Sequence, residues 1–291
     1  MEWKISLEYQ GLTIREYLQT IHSFSKRFII AIKFDGGRIT VNGQQETVRY
    51  QLAVGDLLVI QFPPEKKGNY MTPEEMPLTI FYEDSDIIIL DKPAGIATIP
   101  SPHIQTGTVA NGLLAYYARK DIPYTIHTVT RLDRGTSGLL LIAKHRYSHS
   151  LLATSQLAGE VKRKYKAIVE GKLVDKQGVI NAPIGRKPGS IIERTVVETG
   201  RKAITHYNVE AENQTHSLVD IELETGRTHQ IRVHFSHIGH PLAGDDLYGG
   251  SANIINRQAL HCYELSFKHP TTKKKVSYQL GIPSDMRQLV F

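Results

Sequence analysis

The sequence predicts an α+β protein: a mixed, largely antiparallel sheet in a large C-terminal body, preceded by a small α/β module. Three observations carry this. Residues 86–90 and 139–143 are nearly continuous apolar runs, the pattern of buried strands. Helical patterns fall among the strands without a regular βαβ period, which disfavours a doubly wound sheet. Residues 66–77 hold two prolines and one glycine with few aliphatics, the composition of a connector. The expected organisation is a small domain over 1–65, a linker over 66–77 and a larger domain over 78–291.

Capping and periodicity predict the elements in turn. Thr13 caps a helix running to about Ile21, with Ile14, Tyr17, Leu18 and Ile21 at helical spacing. Ser25 caps a second over 26–34. Residues 38–41 make a short strand ending in the hairpin-type turn Asn42-Gly43. Residues 57–60 make another before Pro63-Pro64. In the larger domain, the strand over 86–90 stops at Asp91-Lys92-Pro93-Ala94-Gly95. A helix over 147–157 follows the strand 139–143. Tyr165, Ala167 and Val169 alternate with Lys164, Lys166 and Ile168, which predicts a strand with one wet face. Residues 218–223 form a further strand. Thr228 is the expected N-cap of a helix that ends at Gly239 and Pro241, with Ile231, Phe235 and Ile238 on one face. A strand burying Ile231, Val233 and Phe235 is the alternative.

Composition narrows the function classes. Hydrophobic residues make up 41% of 291, enough for a sizeable core, so global disorder is excluded. No apolar run approaches the roughly 20 residues that span a bilayer, and the first residues lack a signal-peptide pattern. Cys262 is the single cysteine, so no internal disulfide framework exists, as suits a reducing cytoplasmic setting. The net charge of +6 favours a polyanionic partner, nucleic acid first. Between His22 and Arg49, five cations (Lys26, Arg27, Lys33, Arg38, Arg49) face two acids, a group that either tracks phosphates or is a solvated face.

Three segments can carry chemistry. Asp133 sits between Arg131 and Arg134 in a loop of small residues. Neighbouring positive charge keeps such a carboxylate ionised, so it can act as nucleophile or base, or else cap backbone amides in a turn. Arg232 falls in the first turn of the helix after Thr228, where the dipole disfavours a cation unless an anion, carboxylate or phosphate, faces it. Tyr165 lies among Arg163, Lys164 and Lys166, and can stack on a base or fill the core. His229, His234, His237 and His240 invite a metal reading, but no carboxylate or Cys is interleaved and the helix turns them apart, so no metal is expected.

Two resemblances follow from these residues. The run from Ser25-Lys26-Arg27 through Arg38-Ile39-Thr40-Val41-Asn42-Gly43 to Val54-Gly55-Asp56 resembles the S4 RNA-binding module over about residues 12–62. Arg131-Leu132-Asp133-Arg134-Gly135-Thr136-Ser137-Gly138 resembles the signature of the RluA-type pseudouridine synthases. Asp91–Gly95, Arg163-Lys164-Tyr165, Gly226–His234, Gly239-His240-Pro241-Leu242, Gly244-Asp245, Leu247-Tyr248-Gly249, Leu260-His261 and His269-Pro270 follow in that family's order, so the likeness spans 78–291. It implies the pseudouridine synthase fold and isomerisation of uridine to pseudouridine in structured RNA, ribosomal or transfer.

The resemblance also implies the roles. Asp133 matches the catalytic aspartate, Tyr165 the tyrosine that stacks on the uracil, and Arg232 the arginine paired with the carboxylate. Arg131 matches the arginine that enters the gap left by a flipped base. RNA contacts are expected from Arg131, Arg134, Lys26, Arg27, Arg38 and Lys164. The family usually has His before that first arginine; here Thr130 stands there.

The reaction breaks N1–C1′, turns the uracil and rejoins it through C5. An aspartate near C1′ and C6 can attack covalently or remove the C2′ proton; both routes stay open. Neither redox change nor hydrolysis occurs, so no cofactor or metal is needed, and a monomer is expected. The rival readings are a non-catalytic RNA-binding protein, which has no need of Asp133, Tyr165 and Arg232 together, and a metal-dependent nuclease or phosphatase, which wants clustered carboxylates.

Overall fold

The computed structural model describes residues 1–65 and 71–290, and they fall into two compact units. One holds residues 1–65 together with 120–125; the other holds 71–119 and 126–290. Residues 66–70 of the expected linker lie outside the described residues. The rest of it belongs to the second unit: the amide of Glu74 donates to the carbonyl of Asn111, and Asn111 Nδ2 to that of Thr72.

In the first unit, strands β1 (Glu2–Lys4), β2 (Arg38–Val41), β3 (Gln44–Gln45) and β4 (Leu57–Gln61) form an antiparallel sheet ordered β1-β4-β2-β3. Helix α1 (Ile14–Glu16) continues into a wider π turn over Tyr17–Ile21. Its start is a full capping box: Thr13 Oγ1 accepts from the Glu16 amide, and the Glu16 carboxylate accepts from the Thr13 amide. Ser25 caps α2 (Lys26–Phe34) in the same way, accepting from the Phe28 amide. Asn42 and Gly43 both take positive φ, 51° and 83°, as a two-residue hairpin turn between twisted strands requires. Asn42 Nδ2 donates to Asp56 while its Oδ1 accepts from the Leu57 amide, so the turn is tied to the next strand. Ile14, Leu18, Ile32, Leu58 and Ile60 are buried between helices and sheet.

The second unit is built on one large sheet. Its path runs β10 (Gln177–Asn181), β13 (Ile204–Glu212), β14 (His216–Leu223), β9 (Lys162–Glu170), β15 (Leu260–Lys268), β8 (Ser137–Ala143), β6 (Ile87–Lys92), β5 (Thr79–Glu83). β7 (His127–Thr128) and β16 (Lys275–Gln279) pair with β8 and β15. Among the described pairings only β8 with β15 is parallel. Helices α3 (Val109–Arg119), α4 (Arg146–Leu157) and α5 (Gln230–His237), the short hairpin β11 (Ile184–Arg186)–β12 (Arg194–Val196) and the last turn α6 (Ser284–Arg287) complete it. This is the mixed, largely antiparallel α+β sheet that the sequence predicts.

The β9 prediction needs correction. Tyr165 through Val169 are all buried, so the strand has no wet face there. Lys166 is accommodated because its Nζ is paired with Glu210 at 2.5 Å and Asp220 at 2.8 Å. Two carboxylates from β13 and β14 supply what water would have supplied.

Sheet order positions the site. β8 and β9 follow each other in sequence with only α4 between them, yet β15 is inserted between the two strands. Cys262 of β15 is the register partner of Gly138 on one side and Tyr165 on the other. Gly138 has φ 110°, and a Cβ there would lie 2.2 Å from the Cys262 carbonyl oxygen, so only glycine permits this close approach. The loop before β8, which carries Asp133, therefore lies at the same end of the sheet as Tyr165.

Candidate active site

Asp133 lies in the loop between β7 and β8. The loop is held at both ends. Thr130 is buried and its Oγ1 accepts from the Leu141 amide at 3.0 Å, while the Val129 amide donates to the Leu141 carbonyl. Thr98 Oγ1 donates to the Leu132 carbonyl at 2.8 Å. The Thr136 amide donates back to the Asp133 carbonyl and closes the turn. Thr130 thus clamps the loop to β8.

A second loop braces this one from below. Lys92, 1% exposed at the end of β6, donates from Nζ to the carbonyls of Pro93, Ile96 and Arg134 at 2.9, 2.7 and 3.3 Å. Burial pushes its ammonium down to about 8, against the opposing pull of Asp133. Arg134 Nε donates to the Gly95 carbonyl at 2.9 Å, so this arginine ties the loops together. Arg131 is exposed at the cavity's edge.

Above the loops opens a cavity of about 1230 Å³. Asp133, Tyr165, Arg232, His229, Arg163 and Arg131 all line it. That exceeds the 300–1,000 Å³ of ordinary small-molecule pockets and suits a nucleotide still attached to its chain. Tyr165 is 4% exposed, and burial pushes its phenol upward, so it stays neutral. Lys164, expected beside it, does not line the cavity; strand alternation gives that place to Arg163.

The Asp133 carboxylate is about one-third exposed, with Arg232 Nη1 at 3.4 Å and His229 Nε2 at 3.8 Å from Oδ2. Arg232 is itself fixed by a fully buried partner: Nε and Nη2 each donate to Asp245 at 2.7 Å. Burial works against its charge, but Asp245 and then Asp133 outweigh it and raise the guanidinium above its ordinary value. The ring of Tyr248 lies 4.8 Å beneath the guanidinium. The anion that the sequence reading requires opposite Arg232 is therefore a carboxylate, and Arg232 presents its remaining edge to Asp133.

The expected N-cap of α5 is corrected by one residue. His229, not Thr228, is the N-cap, with φ 57° in the left-handed region. Gln230 Oε1 accepts instead from the Arg227 amide at 3.0 Å and from Thr225 Oγ1 at 2.8 Å, and this bends the chain into the helix. Gly239 follows the helix with φ 84°, as expected. The histidines of this region have separate partners. His234 faces Thr205 Oγ1 and the Ala182 carbonyl, His240 the Glu170 carbonyl, and His229 the Tyr248 hydroxyl.

Residues 86–237 match the model of the RNA pseudouridylate synthase family. The chain belongs to that family. An uncharacterized RNA pseudouridine synthase of Bacillus subtilis, YjbO, is 46% identical over 279 residues, 96% of this chain and 98% of its own. The ribosomal large subunit pseudouridine synthases D of Buchnera aphidicola and Pseudomonas aeruginosa are 35% and 38% identical, over 94% and 87% of this chain and 90% and 83% of their own. The structure of human RNA pseudouridylate synthase domain containing 1 superposes with a TM-score of 0.60 at 23% identity, over 72% of this chain and 86% of that one, and shares the fold. The synthase described here isomerises uridine to pseudouridine in RNA.

Sequence reasoning placed Asp133, Tyr165 and Arg232 in separate segments, and the structure brings all three to one cavity. It gave no role to Asp245, Tyr248 or Lys92, and read His229 only as a hydrogen-bonding group for backbone or RNA. Asp245 had a usable signal, since a cation in a helix's first turn demands an anion. Nothing local says which of 29 acids supplies it. Lys26, Arg27 and Arg38 are exposed on the first unit. No helix of the described residues is long and apolar enough to cross a membrane.

Proposed function

We propose that this synthase acts on a uridine in structured ribosomal RNA, with Asp133 as the reacting carboxylate, Arg232 as its charge partner and Tyr165 as the surface on which the uracil stacks. The observation that carries this is the Asp133 carboxylate opening into the cavity, 3.4 Å from an arginine already held by two hydrogen bonds to Asp245. That arrangement orients the carboxylate without closing it off. The target atoms of a paired uridine are inaccessible in the stack, so the nucleotide must be extruded into the cavity. Arg131, at the rim, fills the vacated position in this reading.

Ribosomal RNA is favoured over transfer RNA because relatives at 35–38% identity carry names specifying the large ribosomal subunit. The first unit supports a structured target. Its α2 exposes Lys26, Arg27 and Lys33, and its hairpin exposes Arg38, in the order of an S4-like module. In this reading the enzyme is a monomer. A cytoplasmic location suits such a substrate.

Pseudouridine mapping of ribosomal and transfer RNA, from cells with and without the gene, tests the reading. Loss of one or a few positions in ribosomal RNA is expected. Loss confined to transfer RNA moves the substrate, and an unchanged map in both overturns the proposal.

A further inference from the structure

Tyr248 ends the short 3₁₀ turn Asp246–Tyr248 and touches both groups that flank Asp133. Its ring lies under Arg232, and its hydroxyl is 2.7 Å from His229 Nδ1. The same hydroxyl accepts the backbone N–H of Arg194, the first residue of β12, at 3.0 Å. That hairpin reaches the cavity: Ile192, just before β12, is among the lining residues and is 57% exposed.

The hydrogen-bond inventory of the phenol favours one state of His229. The Arg194 amide can only donate, so it uses an acceptor site on the phenol oxygen. The phenol's own proton then goes to His229 Nδ1. If Nδ1 carried a proton instead, the oxygen would accept twice and its own hydrogen would be left to solvent. With Nδ1 accepting, the neutral imidazole bears its proton on Nε2, the nitrogen facing Asp133 at 3.8 Å. Burial favours the neutral ring, with Arg232 and Arg194 acting in the same sense and Asp133 and Asp245 against it. His229 also holds a left-handed backbone that non-glycine residues seldom adopt, so its ring direction is set by structure around it.

The geometry points to Tyr248 as a positioning residue. Its hydroxyl fixes His229 as the Nε2–H tautomer facing Asp133, and links that ring to the β11–β12 hairpin at the cavity's edge. The inference rests on Asp133 being the reacting carboxylate only for its effect on rate; the tautomer itself is independent of that reading. No covalent or redox step is added, because His229 and Tyr248 keep their protons and act through the direction of a donor.

Two measurements on the full-length enzyme test it. The first is ¹⁵N NMR of histidine-labelled protein, which distinguishes the two neutral tautomers. The Nε2–H form is expected for His229 in the unaltered protein, and an Nδ1–H form overturns the proposal whatever the variants do. The second is a double-mutant cycle on Tyr248→Phe and His229→Gln. The readout is single-turnover release of tritium from total RNA labelled with 5-tritiated uridine in cells lacking the gene. Tyr248→Phe alone is expected to slow release about tenfold with unchanged RNA affinity, in line with loss of orientation at the reacting group. In the His229→Gln background it adds little further loss. Full additivity, or an unslowed Tyr248→Phe, contradicts the link. If Asp133 proves not to react, the NMR result still stands, so the two failures are separable.

Discussion

Lys26 and Arg27 stand exposed on α2, whereas Arg232 on α5 is buried with one edge of its guanidinium, Nε and Nη2, on Asp245. Both regions present positive charge, and they use it differently. The exposed cations keep their hydration and flexibility, so they can meet a phosphate backbone without a fixed geometry, and salt screens them. Arg232 has given up water and gained a fixed direction. It can orient one carboxylate oxygen, and solution ions barely reach it. The contrast separates binding, which tolerates loose charges, from chemistry, which needs a charge held to a fraction of an ångström.

The largest effect that sharpens this contrast is expected at Asp245. Asp245→Asn keeps the shape and removes the charge that holds Arg232. The pseudouridylation rate should fall roughly 100-fold, as for a misplaced reacting group. Stability should fall by about 3 kcal/mol, because a buried cation loses its partner. RNA affinity should barely change. A variant that keeps its rate while losing stability would show that the Arg232–Asp245 pair is architectural only.

Legibility in the sequence divides along the same line. In the first unit, Thr13, Ser25 and the Asn42-Gly43 turn were readable because their hydrogen bonds close within three residues. The strand Glu2–Lys4 was not, being three residues long and defined by pairing with β4, over fifty residues away. In the second unit, the apolar strands and the Asp133 and Arg232 motifs were readable. The Asp245 pairing and the burial of Lys166 were not, since each depends on strands or loops that meet only after folding. Lys164 lies off the cavity for a simpler reason: a one-residue step along a strand changes its face.

A smaller effect should separate the regions by pH. His261 is buried with Nδ1 2.9 Å from Ser137 Oγ, beside the end of the Asp133 loop, and burial, reinforced by Arg257, holds its imidazole down to about 4. The unfolded chain takes up this proton near 6.5 and the folded protein only near 4, so unfolding is favoured progressively as pH falls between those values. The loss amounts to about 3 kcal/mol across the window. Above 6.5 both states are neutral, and the contribution is constant. Denaturant melts from pH 7 to 4 should show this slope, and His261→Gln should flatten it. An unchanged slope would remove His261 as the acid-sensitive group.

The smallest effect on chemistry is expected from the first unit. Lys26→Gln with Arg27→Gln should weaken RNA binding and lower the salt slope by about 2 if both cations meet phosphates. The rate at saturating RNA should stay as it is. A salt slope equal to that of the unaltered protein would mean these side chains face solvent in the complex.

The central claim, that the Asp133 carboxylate performs the reaction, is tested most directly with Asp133→Asn. The change preserves size and leaves Arg131, Tyr165 and the exposed cations in place, while it removes the charge that makes the group a nucleophile or base. RNA affinity and pseudouridine yield are measured on the same preparation. Binding should persist or tighten slightly, since one negative charge near phosphate is gone. Pseudouridine should not rise above the level seen without enzyme. Pseudouridine formed by a verified Asp133→Asn protein, free of the unaltered enzyme, would contradict the account.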